Sequence, residues 1–522
     1  MVLSGAELVD LAARESLLGR ATDAIWARFD ELCPEPTGEL LALRLMAAAN
    51  RDDPAAASRD LERAAATAEE AGNAVLAESA RGARLLLLAP AAAETALEAA
   101  ADRVAALGDA EGHSFALLRL ATAHFARQDF PSVREVLDRA ETPIRATGRP
   151  ELAGLWLARQ AVLSANLGDL PRAIELATEA AARYTEAGSP ERTAHAQLLT
   201  ARFRRSQGDV KGAFTATTGI DAGTDLGIQA QVSRLRGRLA RRLDRPEDAV
   251  AAFHSAITDF TAAGKPVDAA ATRIDLARVY LDVDRPEHAA AAVTDAEPVL
   301  ARAGAERHQA NGRMLLGHAY RALGRPEQAW ALFGAAAEYF AVAAPAVAGE
   351  AREALADVLA ELNRNAEAAA EYTRAAGHFE QAGLKSSELR TLRRALLSWL
   401  QSGDTDRTLT ALAAADAAEP DPADPDAARE RAMTTFDGAR ALSELGHPAA
   451  AYTRATTAVA ELRAIDATPM VVVAEFLCGQ LLCELGKFAE AREKLTATLA
   501  LLPEHASRKR RDVEALLAEL PD

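Results

Sequence analysis

The sequence predicts an all-α fold, an α-solenoid of stacked antiparallel helix pairs, and three observations support this prediction. Turn residues recur about every 40 residues along the 522-residue chain, a period typical of repeat arrays. Small residues recur at fixed distances before and after these turns. Aromatic residues make up only 5% of the chain, and no stretch shows the convincing period of two that indicates a strand.

The turn residues place the boundary between the two helices of each pair. They are Gln128, Gly168, Gly208, Asp244, Asp284, Gly324, Asn363, Gly403, Gly446 and Gly486, with weaker predecessors at Gly19, Asn50 and Leu88. A second series of glycines has nearly the same period and is expected to end the second helix, because glycine favours the left-handed cap conformation. This series is Gly72, Gly108, Gly148, Gly188, Gly264, Gly304 and Gly383.

Small residues are expected where the two helices of a pair cross, because only small side chains let the backbones approach closely. On the first helix they lie seven residues before the turn, at Ala121, Ala161, Ala201, Gly237, Ala277, Gly317, Ala356, Ala439 and Gly479. On the second helix they lie five residues after it, at Ala173, Ala213, Ala249, Ala289, Ala329, Ala368, Ala451 and Ala491. Larger neighbours such as Tyr320 and Phe333 are expected to fill the space around them.

The unit around Gly324 shows the order most clearly, with Leu316, Gly317 and Tyr320 before the turn and Ala329, Phe333 and Ala336 after it. This order resembles the tetratricopeptide repeat family, and the resemblance extends from about Gly19 to Leu501. It implies a right-handed superhelix that binds ligands on its concave face. The usual repeat has about 34 residues, and about six more here would lengthen the helices by about a turn and a half in total. Repeats of this length are similar to the arrays of bacterial peptide-sensing regulators and of signal-transduction ATPase sensors.

The repeats also predict how the chain is divided. Residues 1–127 form degenerate N-terminal helical repeats, and residues 128–418 form the central repeats. Residues 419–426 form an acidic loop rich in proline and aspartate, because proline does not continue a helix. Residues 427–503 form the C-terminal repeats, and residues 504–522 form a capping helix with polar outer residues.

Composition narrows the possible partners and the compartment. A formal net charge of −17 argues against a general nucleic-acid binder. The three cysteines, Cys33, Cys478 and Cys483, are odd in number and make a poor disulfide framework. The segment from Met1 to Arg20 lacks the apolar core of a secretory signal, and apolar runs are too short to span a bilayer. We therefore expect a cytoplasmic protein without membrane insertion.

Motifs of the common enzyme classes are not found in the sequence. It has no phosphate loop ending in Gly-Lys-Ser/Thr, no dinucleotide-binding glycine motif, no His-Glu-x-x-His and no Gly-x-Ser-x-Gly elbow. The histidines are scattered and form no ligand set. We expect a protein that is not an enzyme and that has no cofactor and no metal.

A candidate binding surface follows from helical periodicity, which directs residues three, six, ten and thirteen before each turn toward the concave face. These positions predict a ligand-binding cluster of His195, Arg202, Arg205, Arg234, Arg238, Arg241, Arg278, Asn311, His318 and Arg321. Arginine offers a planar fork that suits carboxylate or phosphate. In the alternative interpretation, the arginines only pair with carboxylates of the chain, such as Glu350, Glu353 and Asp357 on the following repeat.

The sequence therefore favours a non-catalytic protein- or peptide-binding scaffold, whose partner carries an acidic or C-terminal segment or a phosphorylated group. A second hypothesis is a peptide- or ligand-sensing regulator that acts on a separate DNA-binding or ATPase partner. An enzyme is the most distant alternative.

Overall fold

The computed structural model describes residues 35, 37–48, 54–88, 94–106, 108–419, 424, 426–502 and 507–521, and this part of the chain is all-α. The chain divides into two compact units between Ala263 and Gly264. Within each unit, every described helix packs against its neighbours in the sequence. The predicted all-α array of stacked helix pairs is thereby confirmed in each unit.

The described helices of the first unit are α1 (Gly38–Ala48), α2 (Pro54–Glu70), α3 (Ala74–Leu88), α4 (Glu94–Ala106), α5 (Ala110–Ala126), α6 (Phe130–Thr147), α7 (Pro150–Asn166), α8 (Leu170–Glu186), α9 (Pro190–Gln207), α10 (Val210–Thr218), α11 (Leu226–Arg242) and α12 (Pro246–Ala262).

The described helices of the second unit are α13 (Pro266–Asp282), α14 (Pro286–Arg302), α15 (Glu306–Ala322), α16 (Pro326–Ala343), α17 (Pro345–Glu361), α18 (Asn365–Gln381), α19 (Lys385–Ser402), α20 (Thr405–Ala417), α21 (Ala427–Glu444), α22 (Pro448–Ala464), α23 (Thr468–Glu484), α24 (Phe488–Leu501) and α25 (Ser507–Glu519).

The predicted turns adopt the left-handed backbone conformation. Gly324 has φ 68°, and the non-glycine turn residues Gln128, Asp244 and Asn363 have φ 59°, 55° and 58°. Aspartate and asparagine tolerate this conformation better than most residues with a side chain. All seven glycines predicted to end second helices also have positive φ. Of the weaker turn predictions, Gly19 and Asn50 lie outside the described residues, and Leu88 is the last residue of α3.

Long helices account for the length of the repeat. In the unit around Gly324, α15 has 17 residues and α16 has 18, and only Leu323, Gly324 and Arg325 separate them. Proline at the start of α16 stabilises this arrangement, because the first turn of a helix does not use its N–H groups in intrahelical hydrogen bonds.

The predicted small residues lie at the helix crossings. Every alanine predicted at these positions, on first and second helices, is fully buried with 0% exposure. Three of these positions carry glycine, and a side chain of the second helix covers each: Leu495 covers Gly479, and a Cβ added to Gly317 would lie 2.8 Å from the ring of Phe333. The equivalent pair in the first unit is Gly237 and Phe253, also at 2.8 Å.

A second close approach was not predicted from the sequence. Gly154 on α7 lies under the ring of Tyr184, and Gly349 on α17 lies under the ring of Phe379. In both cases an added Cβ would come within 2.9 Å of a ring carbon. Each aromatic residue belongs to the helix that follows, so ring-over-glycine packing joins the two helices of a pair near the end opposite the turn.

The acidic loop and the capping helix are partly described. Helix α20 ends at Ala417 and α21 begins at Ala427, and residues 420–423 and 425 of the predicted loop lie outside the described residues. Val513 of α25, and Leu520 directly after it, share a buried apolar cluster with Val472 and Leu482 of α23. This contact covers an apolar end of the second unit, as expected for a cap.

Candidate functional site

The structure divides the ten predicted site residues between the two units. His195, Arg202 and Arg205 lie on α9, and Arg234, Arg238 and Arg241 lie on α11, all in the first unit. In the second unit, Arg278 lies on α13, and Asn311, His318 and Arg321 lie on α15.

Arg202 and Arg205 are half-buried and share one face of α9. Arg202 Nη2 donates a hydrogen bond to Gln231 Oε1 on α11 at 3.0 Å. In the part of the chain that the structure describes, neither guanidinium has a carboxylate partner. Two cations that are removed from water without a counter-charge are costly, which makes this face receptive to an anion.

The surroundings of these two arginines are themselves basic. The pKa of Arg202 is lowered first by desolvation and then by the charges of Arg205, Arg238 and Arg234. The pKa of Arg205 is lowered by desolvation and by Arg238 and Arg242. Because like charges raise the free energy of each other's charged form, a bound anion would relieve several repulsions together.

His195 lies on the same face, between Arg202 and an arginine that the sequence analysis did not include, Arg192. The His195 side chain is exposed, but enough protein surrounds it to disfavour its charged form. Desolvation lowers its pKa, the charges of Arg202 and Arg192 lower it further, and only Asp225 acts in the opposite direction. Arg192, His195, Arg202 and Arg205 together form what we call the α9 basic stripe.

A second arginine missed by the sequence analysis, Arg159 on α7, lies near the start of this stripe. Its Nη1 donates to Thr122 Oγ1 at 2.6 Å. Burial lowers its pKa, and the charge of Arg192 lowers it further. The Nε atoms of Arg159 and Arg192 are both buried without a hydrogen-bond partner among the described residues. Neither arginine has a carboxylate partner there.

Tyr184 connects these two arginines. The Arg192 guanidinium carbon lies 5.7 Å from the centre of the Tyr184 ring, an attractive cation–π distance. Burial raises the pKa of the Tyr184 hydroxyl, and the charge of Arg192 and a hydrogen bond with it partly offset that rise. The ring is held in place because it lies over Gly154 of α7.

The arginines of α11 are less available than those of α9. Arg234, Arg238 and Arg241 each already take part in a polar or electrostatic interaction. They contribute positive charge beside Arg202 and Arg205, but the candidate anion-binding groups of the first unit are those of the α9 basic stripe and Arg159.

In the second unit, Arg321 pairs with carboxylates of the chain, as in the alternative interpretation of the arginine cluster. Its guanidinium lies 3.3 Å from Asp357 and 2.6 Å from Glu361, both on α17. Asp357 also accepts hydrogen bonds from Arg394 and from the Tyr372 hydroxyl. Arg321 is therefore part of an internal ion-pair network.

The other predicted residues of the second unit are Arg278, Asn311 and His318. Arg278 is exposed and Asn311 is half-buried. His318 packs its ring edge-on against Phe333, with 4.9 Å between ring centres. Desolvation lowers the pKa of His318, Arg321 and Arg278 lower it further, and Asp357 opposes them.

The network continues along successive first helices with alternating sign of charge. Arg321 on α15 faces the acidic residues of α17, and Glu353 of α17 faces the basic residues of α19. Arg393 of α19 in turn lies 3.0 Å from Asp437 and 3.5 Å from Glu430 of α21. The remaining pairs are Glu353 with Arg390 at 3.1 Å, Glu353 with Arg394 at 3.4 Å and Asp357 with Arg394 at 2.6 Å. Arg321 is the one residue of the predicted cluster that takes part in these ion pairs.

Metal-binding, membrane-spanning and reactive-thiol sites are not found among the described residues. No group of three or more His, Cys, Asp or Glu side chains among the described residues is arranged to hold a metal ion. Among the described helices, none combines the length and the apolar character that crossing a bilayer requires. Cys478 is fully buried, and burial raises its thiol pKa to about 11, as expected for a core residue.

The fold and this site define a helical-repeat protein with a basic stripe on one first helix. No protein-family model matches the chain, and no curated protein matches it in sequence. Solved structures with similar folds include the apo form of RapI, with a TM-score of 0.46 and 11% identity; the match covers 69% of this chain and 98% of RapI. The apo form of the quorum sensor NprR from B. thuringiensis has a TM-score of 0.46 and 14% identity, covering 65% of this chain and 97% of NprR.

A third similar structure is a signal transduction ATPase with numerous domains from Pyrococcus horikoshii, which carries a tetratricopeptide repeat sensor. Its TM-score is 0.46 at 13% identity, and the match covers 69% of this chain but only 60% of that protein. The likeness to all three concerns the fold alone.

Proposed function

We propose that this protein is a non-catalytic binding protein whose α9 basic stripe holds an acidic peptide segment of a partner. The observation that carries the proposal is the pair Arg202 and Arg205, half-buried on one face and without a carboxylate partner in the described part of the chain. Arg321, by contrast, is neutralised by Asp357 and Glu361. The proposed site is thus confined to the first unit.

The expected strength of the contact follows from its chemistry. A hydrogen bond to a charged group is worth about 1.5–3 kcal/mol when well formed. Arg202 and Arg205 are only half-buried, so solvent screening places each contact near the lower end of that range. Because ~1.4 kcal/mol corresponds to tenfold in affinity, loss of both arginines is expected to weaken binding by about a hundredfold.

The test is a binding titration of a short fluorescein-labelled polyglutamate peptide, followed by fluorescence anisotropy. The double variant Arg202→Ala/Arg205→Ala is compared with Arg172→Ala/Arg183→Ala, which removes two arginines of α8. Both control arginines are exposed and already pair with glutamates of their own helix. The two variants have the same net charge, so the comparison separates a local site from a general electrostatic effect.

The expected result is a large loss of affinity in the α9 variant and little change in the α8 variant. Equal losses in both variants, or no binding of the peptide to the unmodified protein, would contradict the proposal.

The regulatory hypothesis uses the same site and differs in what binding achieves. In a regulator, the bound acidic peptide would change the affinity for a separate DNA-binding or ATPase partner, and linkage requires the reciprocal effect. Partners captured from native lysate and identified by mass spectrometry can be titrated with and without the peptide. A reciprocal shift in affinity indicates a regulator, and independent binding indicates a scaffold.

A further inference from the structure

We propose that Arg159, Arg192 and Tyr184 form a second anion subsite, so that the preferred ligand is a peptide with two carboxylates held at the two ends of α9. This inference rests on the proposed function and specifies the ligand of the same surface.

The subsite consists of two arginines from different helices that flank one aromatic ring. Arg192 stacks on Tyr184, and the charge of Arg159 acts on both Tyr184 and Arg192. Each arginine has a buried Nε without a partner among the described residues. Two neighbouring guanidinium groups with unused N–H donors are suited to bind one carboxylate between them, because its two oxygens accept several hydrogen bonds at once.

The nearby carboxylate that could neutralise this pair is otherwise engaged. Glu151 Oε1 accepts a hydrogen bond from Ser189 Oγ at 3.1 Å, and its Oε2 lies 3.5 Å from Arg149. Arg149 in turn forms an ion pair with Glu111. These contacts hold Glu151 at the connection between α8 and α9.

The distance between the two subsites follows from helix geometry. Arg192 precedes Arg202 and Arg205 by ten and thirteen residues on α9, which corresponds to about 15–20 Å at a rise of about 1.5 Å per residue. An extended peptide covers this distance in about five or six residues, at about 3.3 Å each. His195 lies between the two ends on the same face. The structure thus predicts the spacing of the two anionic groups in the ligand.

The test is a spacing series of labelled peptides in an otherwise Gly/Ser sequence. One peptide carries a single glutamate, and three carry two glutamates about two, about five and about nine positions apart, chosen around the extended-chain distance. The unmodified protein is expected to bind the peptide with the middle spacing about tenfold more tightly than the other two-glutamate peptides, because only that spacing reaches both subsites. This part of the experiment requires no substitution and is unaffected by changes in folding.

Variants then locate the second subsite. Arg159→Met and Arg192→Met keep an apolar stem of similar length and remove the charge. Each is expected to lower the affinity for the middle-spacing peptide to that of the single-glutamate peptide. Arg172→Met on α8 is the control and should keep the preference. Thermal unfolding by circular dichroism verifies that each variant is folded.

The outcomes separate this inference from the function on which it rests. Affinity that is independent of spacing, or a preference that persists in both variants, overturns the second subsite. If the Arg202→Ala/Arg205→Ala variant still loses affinity in that case, the binding function stands with a single subsite. If no peptide of the series binds, both proposals fail.

Discussion

Substitution of Gly317 by alanine tests the packing on which the stacked array depends. A Cβ at this position would lie 2.8 Å from two carbons of the Phe333 ring and 3.1 Å from a third. Phe333 is fully buried at 0% exposure, so its ring has no solvent-filled space into which to move. Overpacking of this kind destabilises a protein by about 1–3 kcal/mol. The higher helix propensity of alanine stabilises the helix by about 1 kcal/mol relative to glycine. We expect a net loss of up to about 2 kcal/mol in the free energy of unfolding.

The matched control is Gly334→Ala on the partner helix α16. There an added Cβ would meet only a side-chain carbon of Leu355, at 3.9 Å, an ordinary contact distance. Helix propensity then acts alone, so this variant should gain up to about 1 kcal/mol. Urea titrations followed by far-UV circular dichroism measure both changes, and the slope of each transition shows whether the cooperative unit has changed.

Phe333→Leu is the second substitution of a double-mutant cycle, because it removes the ring with which the new methyl group would overlap. In that background, Gly317→Ala should lose most of its cost, giving a coupling energy of about 1 kcal/mol or more in a double-mutant cycle. If Gly317→Ala instead stabilises the protein as much as Gly334→Ala does, the close approach at the crossing does not require a small residue, and our reasoning is wrong.

Two further predictions concern electrostatics. Asp357→Asn should lower the free energy of unfolding by about 1–2 kcal/mol, because Asp357 accepts hydrogen bonds from Arg321, Arg394 and Tyr372. Thermal unfolding measures this change. An unchanged midpoint would show that the network does not contribute to stability. The NMR-detected pKa of His195 should lie below the ordinary value of 6.5. Since the folded state disfavours the charged form, His195 should reduce stability as the pH falls through 6.5. Bound polyglutamate should raise the pKa of His195, so the protein should bind the peptide more tightly as the pH falls. If the His195→Gln variant shows the same pH dependence of binding, His195 is not the group responsible.

Much of the fold could be predicted because the features that specify it are local. Left-handed turns favour glycine, asparagine or aspartate at one position, and helix crossings need a small residue at a fixed distance from the turn. The second close approach, at Gly154 and Gly349, was missed because its aromatic partner lies a full helix later in the chain. Nothing within one helix distinguishes such a glycine from an ordinary one.

The site could be predicted only in part, because the role of a charge depends on the neighbouring repeat. Arg321 and Glu361 are 40 residues apart, one repeat, and they pair. One repeat after Arg202 and Arg205, the chain carries Arg238, Arg241 and Arg242 instead. Comparison of charges one period apart would therefore have separated the neutralised stretch from the basic one. Arg159 would still have been missed, because its position depends on where Tyr184 packs.

The alternation of charge from α15 to α21 restricts how this part of the protein can change in length. Within this stretch, the charges that pair between adjacent first helices have opposite signs, so every second repeat has the same sign. Loss or duplication of one repeat would bring two helices of like charge together and leave their partly buried ion pairs broken. Loss or duplication of two repeats would preserve every match. In this stretch, therefore, the gene can gain or lose two repeats of about 40 residues each without breaking these ion pairs. The helix pairs themselves recur with every single repeat.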